Sequence, residues 1–156
     1  MEVFYNNKLV NNNEFLKPSE TQVEPKIKYN FKSNNFYTLI MHDPDAVNGN
    51  RVHWLVTNIN KNINNGKILL PYVGPAPPAK TGKHRYMFEL YKQSEILNVE
   101  PLGERSISIN SLRNKLNLSR YISKIQFISQ NESGGKTKKT KRRKSNNKKT
   151  KRNRKG

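Results

Sequence analysis

The chain contains no cysteine. That excludes disulfides, thiolate nucleophiles and Cys-ligated metals, and it agrees with a reducing compartment. No apolar run approaches the roughly 20 residues of a membrane span. Asn and Glu interrupt the short apolar pieces near the N-terminus, so no secretory-signal pattern is read there. Aspartate and histidine are also scarce. The 156 residues include two aspartates, Asp43 and Asp45, and three histidines, His42, His53 and His84. Acid is missing altogether from 133–156, where 13 residues are Lys or Arg. Of the formal net charge of +19, that tail carries +13. Residues 1–132, with 17 basic and 11 acidic side chains, carry the remaining +6.

This absence divides the chain into a folding unit, 1–132, and a tail, 133–156. Hydrophobic residues make up 33% of the whole chain. The tail has none of them, so it cannot fold alone and is expected to be disordered. A body of about 130 residues can bury a core. Asparagine is abundant throughout and reads as compositional bias.

Within the body, Ile27-Lys28-Tyr29-Asn30-Phe31 alternates as a half-buried strand does. Residues 36–42 form a denser strand, with Leu39 and Met41 facing one way and Ile40 the other. Asp43-Pro44-Asp45 ends it, because proline removes a ladder donor and restricts the residue before it. Val52 to Ile59 reads as the next strand. Residues 71–83 hold Pro71, Pro75, Pro77, Pro78, Gly74 and Gly82, so they form a stiff, irregular loop. His84 to Tyr91 is a third strand, with Tyr86, Phe88 and Leu90 on one face. Asn110 to Leu116 reads as a short helix with Asn110 as N-cap. For 124–129 periodicity does not choose between helix and strand. The fold class expected is mainly β, an antiparallel β-sandwich with few short helices.

All the histidines and aspartates lie in two segments. One is Tyr37–Ala46 followed by His53-Trp54-Leu55-Val56-Thr57-Asn58. The other is Tyr72-Val73-Gly74-Pro75-Ala76-Pro77-Pro78 followed by Gly82-Lys83-His84-Arg85-Tyr86. Together these closely resemble the two motifs of the phosphatidylethanolamine-binding protein family, also called the Raf kinase inhibitor protein family. The resemblance covers about a third of the chain. It implies a sandwich-like body with a small cavity that binds anions. It also implies roles in lipid binding, kinase-cascade regulation, protease inhibition or developmental signalling. Val47 departs from the proline usual in the family after Ala46. The basic tail stands where animal members carry a helix bordering the pocket, so a more open pocket is expected.

If the three strand ends converge, Asp43, His53, His84 and Tyr86 surround one hollow rimmed by Gly74–Pro78. Imidazole, phenol and backbone N–H groups are the donors a phosphate needs. Gly74 and Gly82 would let backbone approach the ligand. Asp43 would accept from a histidine and favour its imidazolium form, or meet an ethanolamine ammonium. The expected anion-binding set is therefore Asp43, His53, Gly74, Gly82, His84 and Tyr86. His42 is expected to be structural or at the surface, and Trp54 and Phe88 to be core. Asp45 and Arg85 are expected to form a buried pair bracing two loops, and Pro75, Pro77 and Pro78 to stiffen the rim without touching ligand. No serine or cysteine nucleophile accompanies these residues, so no catalytic residue, metal or cofactor is assigned.

The reading is a non-enzymatic protein that binds a phosphate or phosphoethanolamine-type headgroup, or a phosphorylated protein partner. The alternative gives the function to the tail and leaves the hollow vestigial. Its two basic blocks, 136–144 and 148–155, suit nucleic acid through counterion release, an anionic membrane surface or nuclear import. No aromatic is interleaved, so nucleic-acid binding would lack sequence preference. An intracellular, cytoplasmic location is expected, with nucleus or virion open through the tail.

Overall fold

A computed structural model of the chain describes residues 1–135. The tail's two basic blocks, and the disorder expected of them, lie outside the described residues. Nine strands and one α-helix follow in order: β1 (Glu2–Tyr5), β2 (Lys8–Leu9), β3 (Glu14–Phe15), β4 (Lys26–Lys28), β5 (Tyr37–Asp43), β6 (Arg51–Ile59), β7 (Lys67–Leu70), β8 (Lys83–Lys92), α1 (Ile109–Lys115) and β9 (Tyr121–Gln130). The large sheet has the order β3-β9-β8-β5-β6-β7, and a small sheet has the order β2-β1-β4. All pairings are antiparallel except β3 with β9, which runs parallel.

Strand β5 lies at the centre of the large sheet and every one of its residues is buried. Period-two alternation explains how it fills two cores. Leu39 and Met41 join Tyr86, Phe88, Leu90 and Phe127 in a cluster that also takes in Val3 and Tyr5 of the small sheet. Ile40, on the other face, packs with Leu55, Leu70 and Tyr91 under Leu112 and Leu116 of the helical segment. The β-rich sandwich read from the sequence is therefore observed. Its second layer is a three-stranded sheet on one face, and the helical segment covers the other.

Four local expectations change. The helix begins at Ile109, and Ser108 caps it, accepting from the Ser111 N–H. Ser108 is in extended backbone with its hydroxyl free to turn back, so it does what was expected of Asn110. The alternating 27–31 segment pairs only over Lys26–Lys28. Tyr29 and Phe31 leave the ladder and pack edge-on against Tyr37. Residues 124–129 are strand, because β9 completes the ladder along β8. Asparagine also carries structural content. Of the seven non-glycine residues with positive φ among the described residues, five are asparagine: Asn6, Asn7, Asn13, Asn58 and Asn117. Asparagine tolerates that left-handed region better than other side chains. No helix of the described residues is long and apolar enough to cross a membrane.

Candidate functional site

The C-terminal end of β5 and the starts of β6 and β8 meet, because β6 and β8 both run antiparallel to β5. Beside them lies a hollow of about 280 Å³, lined by Asp43, His53, Gly74, His84 and Tyr86 together with Arg51 and the Pro77-Pro78 rim. That volume is at the low end of small-molecule sites, roughly 300–1,000 Å³. Asp43 follows Leu39 and Met41 on the alternation of β5, so the core stripe that holds the small sheet ends in a carboxylate at the hollow.

Asp43 is buried and fully engaged. Its Oδ2 lies 2.7 Å from His84 Nδ1, and its Oδ1 accepts from the Asp45 N–H at 2.8 Å. His84 Nε2 in turn lies 2.7 Å from Thr81 Oγ1. The Thr81 hydroxyl also donates to Pro78 O at 2.8 Å. Both ring nitrogens of His84 are therefore occupied, and the imidazole braces the 78–84 loop. It offers a ligand nothing unless a bond is broken. Carboxylate, imidazole and hydroxyl follow one another as they do in a hydrolase triad. The Thr81 proton, however, already has a carbonyl to bind, and the hydroxyl is not part of the lining.

His53 is arranged differently. The Val73 N–H donates to His53 O at 2.9 Å, and His53 Nδ1 donates to Val73 O at 2.8 Å. This exchange places the proton on Nδ1 and the lone pair on Nε2. Nε2 is buried and has no partner. Burial lowers the ring's pKa to about 4, outweighing the opposite pulls of the Val73 carbonyl and Asp43. Both imidazoles were expected to donate to an anion. At neutral pH His53 instead presents an acceptor. Tyr86 stands edge-on to His53 at 5.2 Å and stacks on Phe127 at 5.3 Å. Burial, then the Asp43 charge, raises its phenol pKa, so it remains a neutral donor.

The two glycines separate. Gly74 lines the hollow, but its bare Cα serves Gln22. A methyl there would stand 2.8 Å from Gln22 Oε1 and 3.0 Å from Gln22 Cα. Gln22 in turn donates to Pro75 O at 2.8 Å and holds the rim. Gly82 does not line the hollow. Its φ of +80° is the reason for glycine there, and the space around it is open. Pro77 and Pro78 do line the hollow, whereas Pro75 does not. Trp54 and Phe88 are core, as expected. His42 is buried, with Nδ1 on Asn50 Oδ1 and Nε2 3.6 Å from Glu89. Asp45 and Arg85 form the expected pair, with N···O contacts of 2.9 and 2.8 Å. Their side chains are 30% and 49% exposed, so the pair is not buried.

The sequence reading missed Arg51. It pairs with Asp43 across β5 and β6 and brings a cation to the mouth of the hollow. The signal available was its place one turn beyond the Asp-Pro-Asp loop, where a basic residue would face whatever Asp43 faces. It also missed Arg105, which donates to the carbonyls of Val52, His53 and Pro71 and so holds β6 against the proline loop.

The fold and the site together define a class, a β-sandwich with a small hollow at converging strand ends, rimmed by a stiff proline loop. Sequence comparison specifies the family. The model of the phosphatidylethanolamine-binding protein family matches residues 3–136, and the chain belongs to that family. It is 31% identical over 144 residues to protein FLOWERING LOCUS T of Arabidopsis thaliana, covering 86% of this chain and 81% of that protein. It is 39% identical over 102 residues to a 26 kDa secreted antigen of Toxocara canis, covering 61% of this chain. The chain spans only 39% of that antigen's length. A solved carboxypeptidase Y inhibitor, in complex with its cognate proteinase, superposes with a TM-score of 0.67 at 20% identity, covering 84% of this chain and 82% of that one. At that identity the likeness is one of fold.

Proposed function

We propose that this chain is a non-enzymatic binder of phosphate-bearing groups, acting as a regulator through the hollow beside Asp43. The observation that supports this most is that His53, a residue lining the small hollow, carries a buried lone pair on Nε2 without a partner. A buried acceptor left unpaired costs about 1–3 kcal/mol. A ligand that brings it a proton recovers that. A singly protonated phosphoryl group supplies the proton through P–OH and keeps oxygens for the Tyr86 hydroxyl and for Arg51. Phosphomonoesters of this kind occur on phosphorylated side chains, on free phosphoethanolamine and on phosphatidic acid, whereas a phosphodiester headgroup is ionised at neutral pH and brings no P–OH. Asp43 and His84 act by holding the wall, since their polar atoms are already paired. A regulatory role agrees with the family's inhibitor member. A cytoplasmic location belongs to the same proposal, although one relative is described as secreted.

The test is titration of the full chain with phosphoethanolamine and with inorganic phosphate, watching the ring signals of His53 by NMR. Saturable shifts at His53 that vanish in Tyr86→Phe with Arg51→Ala are expected. Unmoved His53 signals at millimolar ligand would sink the assignment. The tail supports a second reading, a surface or nucleic-acid binder with an idle hollow, because 13 of its residues are cationic.

A further inference from the structure

A groove of about 620 Å³ runs beside the small sheet, lined by Phe4, Asn7, residues 24–28 and residues 62–64. It shares no lining residue with the hollow beside Asp43. Strand β4 is an edge of that sheet, and among the described residues no strand pairs with its outer side. The ladder register shows what this edge offers. Val3 O accepts from the Val10 N–H at 2.9 Å, so Val3 turns its backbone groups towards β2. Val3 stands opposite Ile27. Hydrogen-bonded and non-hydrogen-bonded pairs alternate in an antiparallel ladder. Glu2 and Phe4 therefore bond Lys28 and Lys26, and the Ile27 N–H and C=O point outward from the sheet. By the same alternation the Lys26 and Lys28 side chains lie on the face opposite that of Ile27. Ile27 and Ile63 both pack against the core cluster beside Val3. Lys26 Nζ donates to the neutral Asn7 Oδ1 at 3.1 Å. Glu2 stands opposite Lys28, yet among the described residues neither lysine closes an ion pair. An outward backbone donor and acceptor are thus flanked by two cations.

We propose that the outer edge of β4 takes up an extended segment of a partner protein as a fourth strand, one with the pattern acidic–apolar–acidic. The central residue exchanges N–H···O bonds with Ile27 in an antiparallel pair, as in strand addition generally. Its two neighbours then stand directly opposite Lys26 and Lys28, on the lysines' own face, where opposite charges stabilise the pairing. Its own side chain turns to the side of Ile27 and Ile63. A three-residue strand is about 10 Å long, takes about 5 Å across the sheet and about 10 Å between layers, roughly 500 Å³ in all. The groove, at about 620 Å³, can hold it. The lysines also exclude a second copy of this chain. Two β4 edges paired antiparallel at Ile27 would set lysine against lysine, and like charges directly opposite destabilise the pair. Lysine on a short edge strand guards it against its own kind, and that leaves it open to a strand of the opposite sign. Glu24 is the remaining charge of the groove, and burial raises its carboxyl pKa. It precedes β4, so it disfavours a third acid towards the C-terminal end of the incoming strand.

The test is an NMR titration of the full chain at physiological salt, read at the backbone N–H of Ile27. The probe is an acetylated and amidated peptide, Thr-Thr-Glu-Val-Glu-Thr-Thr. Two control peptides accompany it. One is N-methylated at the central valine, which removes the donor to Ile27 O. The other has lysine in place of both glutamates. Saturable Ile27 shifts are expected with the probe, and affinity should fall at least about tenfold with either control. A full-length variant carrying Lys26→Glu and Lys28→Glu should reverse the order and prefer the lysine peptide, a gain of binding that a misfolded chain would not show. Equal affinity for the N-methylated peptide would overturn strand addition, leaving only charge attraction to the basic residues of 133–156. Ile27 signals unmoved at millimolar probe would overturn the site itself. Ile27 signals that shift with protein concentration alone would overturn the choice of partner and assign the edge to a second copy.

Discussion

Phosphate affinity should rise steeply as pH falls from 8 to 6, because binding takes up one proton. The free His53 ring is neutral, with Nδ1 committed to Val73 O and a lone pair on Nε2. A fully ionised phosphoryl group carries only acceptors, so the two lone pairs oppose each other. One extra proton resolves this, and it can sit on either partner. Placing it on His53, with a pKa of about 4, costs about 4 kcal/mol at pH 7, at 1.36 kcal/mol per unit. Placing it on a phosphomonoester, whose second pKa is about 6, costs about 1.4 kcal/mol. The ligand therefore carries the proton. Affinity should then fall by close to tenfold per pH unit well above pH 6, and about 50-fold between pH 6 and 8. Calorimetric titration of phosphoethanolamine into the full chain measures this directly. Repeating it at pH 8 in buffers of different ionisation enthalpy should report uptake of about one proton. His53→Gln can turn an amide N–H to the ligand, so its affinity should lose most of the pH slope. An affinity that is flat from pH 6 to 8 in the wild type would refute the reasoning, because it would mean that Nε2 needs no proton.

Other consequences are independent of ligand. The folded pKa of His53 lies below its unfolded value of 6.5. Its contribution to stability is therefore complete above pH 6.5 and lost as pH falls towards 4. Urea unfolding should show about 2 kcal/mol less stability at pH 5 than at pH 7.5 from this group, a difference missing in His53→Gln. Asp43→Ala leaves the buried His84 Nδ1 without its acceptor and should destabilise by about 1–3 kcal/mol in the same assay. Asp45→Ala breaks a half-exposed pair and should cost only about 0.2–1 kcal/mol. Gly74→Ala forces a methyl against Gln22 and should cost about 1–3 kcal/mol, much of it recovered when Gln22→Ala is added. Gly82→Ala stays strained at about 1–3 kcal/mol with no such rescue, because the penalty lies in its φ of +80°. Equal response of the two glycine variants to Gln22→Ala would contradict the distinction.

The elements with strong period-two alternation were legible from the residues alone. Leu39, Ile40 and Met41 announced a strand buried on both faces, and Tyr86, Phe88 and Leu90 announced one core face. Asp43-Pro44-Asp45 marked where β5 stops. Elements whose character depends on neighbours were less legible. Strand β9 exists because β8 offers it a ladder, and Tyr29 and Phe31 leave theirs for an aromatic contact with Tyr37. The site divides in the same way. The two motifs named Asp43, His53, His84 and Tyr86, and the structure gathers all four around one hollow.

What the sequence by itself determined is which residues carry chemistry and which strands bring them close, because side-chain type and alternation are local properties of the chain. Their roles were decided only by the tertiary structure. His53 and His84 are the same residue type in similar motifs, yet one meets a carbonyl from the proline loop and keeps a free lone pair. The other is held by Asp43 and Thr81 and has nothing to spare. Hydrogen-bond saturation depends on partners distant in sequence, such as Val73 for His53 and Asp43 for His84. The same holds for Gly74, whose missing side chain answers to Gln22, 52 residues earlier in the chain.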